Sequence, residues 1–123
     1  MNTTLWVIQI VLAIVFAGAG VGKLTQPREK LVERMAWAED FTDAQVKAIG
    51  AVELLGAIGL VLPAATGILT WLTPLAAAGL ALTMLLAALV HVRRKELPFV
   101  AVNLVLAALA AFVAWQRFGP QAF

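Results

Sequence analysis

The chain has no cysteine and no tyrosine, a single histidine, and only 13% of its residues charged. Each shortage excludes something. Without cysteine there is no disulfide, no thiolate metal site, no iron–sulfur cluster held by this chain and no CxxC thiol relay. One histidine argues against a zinc or di-iron site within one copy, and one copy cannot supply bis-histidine haem ligation. No metal centre is therefore expected. The scarcity of charge argues against an ordinary soluble domain, in which about a quarter of residues are charged. The net charge of +2 is small. The basic residues sit beside apolar blocks, so they read as topology signals rather than a nucleic-acid surface.

What the chain has instead is apolar residues: 63% of 123, with a mean hydropathy of +0.95. So small a soluble domain leaves much of its surface wet and cannot hide that surplus in a core. A lipid bilayer can take it. Four segments, 5–22, 43–62, 74–91 and 98–115, reach the ~18–20 residues a spanning helix needs. The expected fold is an all-α integral membrane four-helix bundle, one domain over 1–123, with neighbours antiparallel. Local signals mark the ends. Thr42-Asp-Ala-Gln45 fits a capping box. Thr73-Pro74 and Pro98 fit helix starts, and Pro63 is expected to stop the second span. Ala17-Gly-Ala19 resembles a signal-peptide cleavage site, but residues 1–4 lack the basic n-region, which favours a retained span. Residues 28–40 alternate charge with Leu31, Met35 and Ala38 at helical spacing. They suit either a short helix on the membrane surface or an irregular loop.

Antiparallel spans put the 1–2 and 3–4 connections on one face. That face collects Lys23, Arg28, Lys30, Arg34, Lys47, Arg93, Arg94 and Lys95, against Arg117 alone on the other. The positive-inside rule then places both connections in the cytoplasm and both termini outside. Trp6, Trp71 and Trp115 fit an aromatic belt.

Helix pairing in lipid depends on small residues that allow close approach. Gly18 and Gly22 form a GxxxG pair, and Gly50, Gly56 and Gly59 share much of one side of the second span with Glu53. Glu53 is the most informative residue. A carboxylate in the bilayer costs ~2.5–3.5 kcal/mol even on mild scales, so something must compensate it. Counted from Ala48 it lies about 8 Å inside the basic end, and Asn103, counted from Pro98, lies equally deep. Lys23 and His91 mark the basic ends of the first and third spans, in the same half of the bundle. Lys23, Glu53, His91 and Asn103 are thus candidates to share one pocket, with Arg93 or Arg94 at its mouth. They would either neutralise one another and fix the bundle, or bind a polar head group or move a proton. Gln9 has no visible partner and reads as structural.

Phe16-Ala-Gly-Ala-Gly-Val-Gly-Lys23-Leu-Thr-Gln-Pro27 and Ile49-Gly-Ala-Val-Glu53-Leu-Leu-Gly-Ala-Ile-Gly-Leu-Val-Leu-Pro63 resemble signatures of the DoxX-like membrane proteins. Leu72-Thr-Pro74-Leu-Ala-Ala-Ala-Gly79 and Val90-His91-Val-Arg-Arg-Lys-Glu96 complete the pattern over about residues 5–117. The resemblance implies a four-helix protein of the bacterial inner membrane that acts as a partner of membrane redox enzymes. Its recurrent polar positions fall on Lys23, Glu53 and His91. Thiol exchange, open to cysteine-bearing relatives, is closed to this chain. Three functions stay open: an accessory, non-catalytic subunit holding a small hydrophobic or quinone-like molecule, a small oligomeric transporter or proton-coupled exporter, or a membrane anchor docking a soluble partner through residues 23–42. Beyond the lipid bilayer, the expected partners are a redox enzyme, a soluble protein or a second copy of the chain. A topology reporter fused after Phe123 should be active only on the non-cytoplasmic side; cytoplasmic activity would reverse the orientation.

Overall fold

The stretch from Asn2 to Thr25 has no proline and no charge before Lys23, so nothing interrupts a helix, and it forms one, α1 (Asn2–Thr25). The computed structural model describes residues 1–123, apart from the side chains at positions 28 and 34. Those two arginines were counted in the basic face, and their placement there lies outside the described residues. After α1 come α2 (Arg28–Arg34), a 3-10 helix (Ala36–Asp40), α3 (Asp43–Thr66), α4 (Leu72–Arg93) and α5 (Leu97–Phe118). No strand occurs among the described residues. The four long helices are each apolar and long enough to cross a membrane, and the four-helix membrane bundle expected from the sequence is the fold found. The 24 residues of α1 and of α3 span about 36 Å at 1.5 Å per residue. They overreach a ~30 Å hydrocarbon core, which is why each helix outruns its apolar segment. Ile14, Leu55, Leu82 and Val105 stand exposed on the outside, where only lipid makes such a surface favourable.

Three local expectations meet different outcomes. The capping box forms: the Gln45 amide donates to Thr42 Oγ1 at 3.1 Å, and the Thr42 amide donates to Gln45 Oε1 at 2.9 Å. Pro63 does not stop α3, which runs on to Thr66 and ends at Gly67 in the left-handed region. A proline inside a helix deprives the carbonyl four residues earlier of its donor. Here that carbonyl belongs to Gly59, and it accepts the Thr73 hydroxyl at 2.8 Å. Thr73 therefore does not cap α4. It sits inside the first turn, fully buried, and repairs the break in α3. Residues 28–40 are two short helices rather than a loop. Leu31, Ala38 and Val46 form a small core beneath them, backed by Val32, Met35, Trp37 and Phe41.

Packing divides the bundle into two pairs. α1 lies along α3 and α4 along α5; α3 meets α4 more sparingly, and α1 meets α5 more sparingly still. The first pair is close because of Gly20 and Gly50. A Cβ on Gly20 would lie 2.7 Å from the Gly50 carbonyl oxygen and 2.8 Å from the Leu54 nitrogen. The GxxxG residues play no such part: a Cβ on Gly18 or Gly22 would meet nothing within 4 Å. Gly56 and Gly59 let α3 approach Leu80 and Ala76 of α4. That contact lies near the end carrying the 67–71 turn and both termini. At the same end Gln9, read as unpartnered, donates to the Leu60 carbonyl at 2.7 Å and accepts from Arg117 Nε at 2.9 Å.

Gly20→Ala should therefore destabilise the bundle by about 1–3 kcal/mol through overpacking against backbone. Gly18→Ala should change stability by less than about 0.5 kcal/mol. Denaturant unfolding in detergent micelles checks the pair; equal effects would refute the assignment of the contact.

Candidate functional site

At the basic end the two helix pairs separate, and the space between them is a cavity of about 520 Å³. The stripe of α3 that touches α4 at Gly59 and Gly56 continues down the helix as Val52, Ile49 and Ala48. On α4 the stripe of Ala76 and Leu80 continues as Thr83, Ala87 and Val90. The upper residues of both stripes are in contact, while the lower ones line the cavity. The cavity is thus a wedge, closed where α3 and α4 meet and widening towards the basic end.

Each pair brings polar groups to the wedge. On the first, Lys23 Nζ lies 2.8 Å from Glu53 Oε1, both side chains more than nine-tenths buried. The contact is an ion pair rather than an aligned hydrogen bond. Glycine makes it reachable. A Cβ at Gly50 would sit 2.7 Å from the Lys23 Cβ, so the lysine stem lies over residue 50 and its ammonium reaches the carboxylate three residues further on. The ammonium also lies 5.7 Å from the centre of the Trp37 ring, a favourable cation–π distance. Mutual neutralisation is the compensation that a carboxylate at this depth requires.

On the second pair stand His91 and Asn103. His91 is held by the way α4 ends. The Glu96 amide donates to the His91 carbonyl at 2.9 Å and the Lys95 amide to the Val92 carbonyl at 3.1 Å, a Schellman turn. Lys95 takes the left-handed conformation with φ 60°, where glycine is usual. The turn brings the Glu96 carboxylate back onto the ring, its Oε1 3.0 Å from His91 Nδ1. Phe99 stacks on the imidazole at 5.2 Å. Asn103, 8% exposed, lines the cavity, and its Nδ2 donates to nothing.

The 3-10 helix lies across the basic end. Trp37 and Phe41 line the cavity, and Trp37 meets His91 edge-on at 6.5 Å. Arg94 ties this segment down, donating to Asp40 Oδ2 at 2.7 Å and Glu39 Oε1 at 2.9 Å. Those hydrogen bonds raise its pKa above the ordinary arginine value.

Lys23, Glu53, His91 and Asn103 thus share one cavity, as their depth in the sequence suggests. Arg94 does not line it; it fastens the floor instead. Sequence reasoning missed Trp37, Phe41 and Glu96 as parts of the site. Glu96 was legible in retrospect, five residues after His91 and just before the helix start marked by Pro98. It also missed the Gln9–Arg117 bond at the far end, although Gln9 stands alone among apolar residues and Arg117 is the one charge near that end of the fourth span.

A family model described as the DoxX-like family matches residues 7–113. The chain belongs to the DoxX-like family. Comparison with curated proteins and with solved structures finds no match for it.

For this DoxX-like protein the buried ion pair gives a clear energetic expectation. Lys23→Met strands the Glu53 charge and should cost about 3–5 kcal/mol, whereas the double change Lys23→Met with Glu53→Met should recover most of that. A double-mutant cycle in micelles measures the coupling. Additive losses would mean the two residues do not compensate each other.

Proposed function

We propose that this protein is an accessory subunit of a bacterial inner membrane. It holds a small lipophilic molecule with a flat polar head, of quinone type, between its helix pairs. The observation that carries this reading is Asn103. A buried donor without an acceptor costs about 1–3 kcal/mol, and a carbonyl on a bound molecule would supply the acceptor. Other features agree. Phe16, Trp37, Phe41 and His91 line the cavity with aromatic rings, and its ~520 Å³ suits a small-molecule site. Lys23 and Glu53 cancel each other's charge, which favours a neutral head over an ionic one. In this arrangement Glu53 and His91 face the head, Lys23 and Asn103 orient it, and the basic end lies in the cytoplasm.

The alternatives draw less support. A proton-coupled exporter using Glu53 as carrier would have to break a buried pair in every cycle. A docking anchor built on residues 23–42 would find much of its chemistry already engaged: Trp37 and Phe41 line the cavity, and Glu39 and Asp40 hold Arg94.

Asn103→Leu separates ligand binding from a structural role. It removes an unpartnered amide, so the ligand-free bundle should be as stable as before or slightly more so. Binding of decylubiquinone, read as quenching of tryptophan fluorescence in nanodiscs, should weaken about tenfold, the worth of one hydrogen bond to a buried donor. Unchanged binding, or a bundle destabilised without ligand, would refute the reading.

A further inference from the structure

We propose that the cavity is loaded sideways from the lipid, through the gap between α3 and α4, and not from the aqueous phase at the basic end. This rests on the reading of the cavity as a binding site and adds the route to it. The two ends of the wedge differ in chemistry. Towards water, the 3-10 helix lies across the way in, with a smaller cavity of about 280 Å³ between it and the α4–α5 turn. Trp37 lies across Lys23 and against His91, and two features pin the segment: Arg94 bound to Glu39 and Asp40, and beneath it the core of Leu31, Ala38 and Val46. Towards lipid nothing comparable stands in the way. The α3–α4 flank is lined by Ala48, Ile49, Val52, Thr83, Ala87 and Val90, which carry no charge and include two alanines. Val52 and Leu86 on its rim are 49% and 55% exposed, so the lining runs without a break into the outer surface that lipid covers.

The direction of splay supports the same route. α3 and α4 are joined by a short turn and held together at that end by Gly56 against Leu80, Gly59 against Ala76, and the Thr73 hydroxyl on the Gly59 carbonyl. These three contacts lie on the far side of the cavity from the basic end. A tail leaving the cavity between Val52 and Leu86 would stay in hydrocarbon along its whole length, and the head would reach Asn103 and His91 without crossing a charged layer.

The absence of cysteine makes the test direct. Single-cysteine variants Thr83→Cys and Ala87→Cys, spin-labelled and reconstituted in liposomes, report which phase reaches the gap. Broadening by lipid-soluble oxygen should exceed broadening by a water-soluble nickel chelate at both positions. Stronger broadening by the chelate, or a label reached by neither, overturns lateral loading. Uptake of decylubiquinone from liposomes supplies a second readout. Ala87→Trp should slow it at least tenfold, while Arg94→Gln, which releases the 3-10 helix, should leave it unchanged. Faster uptake in Arg94→Gln with normal uptake in Ala87→Trp overturns the route while leaving the binding site standing. If unaltered protein takes up no quinone, the quinone reading falls, and the label accessibilities still decide the route.

Discussion

Lys23 and Glu53 meet at 2.8 Å inside a part of the molecule where neither charge is tolerable alone. Much of the architecture at the basic end follows from bringing them together. The ammonium reaches the carboxylate only if the lysine stem lies flat on α3, and it lies flat only because residue 50 has no side chain. Gly20 then lets the two backbones close to the same short distance one turn earlier. Any side chain larger than hydrogen at either position pushes α1 away and separates the charges. The ion pair and the glycines are therefore one device. The glycines give the geometry, and the cost of an unpaired charge in lipid makes that geometry obligatory.

The second helix pair is built on different physics. It buries alanines such as Ala77, Ala81, Ala107 and Ala110 in the core, and its polar groups do not neutralise each other across the cavity. His91 is satisfied within its own turn by Glu96, and Asn103 keeps a free donor. Lys95 holds a left-handed backbone that favours glycine, a local cost of the kind that collects at functional sites, and that conformation is what returns Glu96 to the imidazole. The two pairs thus present unlike faces to one wedge: a neutralised ion pair on one side, an oriented ring and an unsatisfied amide on the other.

The bundle was legible in the sequence because its signals are additive. Hydropathy, span length and the clustering of Lys and Arg each point to the same four helices. The depth of Glu53 and Asn103 was legible for the same reason, since a helix converts residue count into distance. Partner choice was not. Nothing in GAGVG tells Gly20 from Gly18 or Gly22, because the sequence does not say which way the helix is turned about its axis. The fate of Pro63 was hidden likewise. A proline ends a helix when its orphaned carbonyl finds no donor, and here the donor comes from Thr73 in the next helix. The partners of Arg94 were hidden too, because they are Glu39 and Asp40, more than fifty residues earlier.

These misplacements share a consequence for the site. The residue with the greatest energetic penalty in the sequence, Glu53, turns out to be the one whose needs are met internally. The residue that looked ordinary, Asn103, is left with an unmet need. A carboxylate in lipid forces the protein to supply a counter-charge, because the cost of leaving it bare is comparable to a sizeable part of a domain's net stability. An amide donor imposes a smaller cost, about 1–3 kcal/mol, which a fold can bear when something outside the chain recovers it. In a membrane protein with a cavity, binding capacity is therefore better sought at moderate polar residues left unpartnered than at the most costly ones, which the fold is obliged to satisfy first.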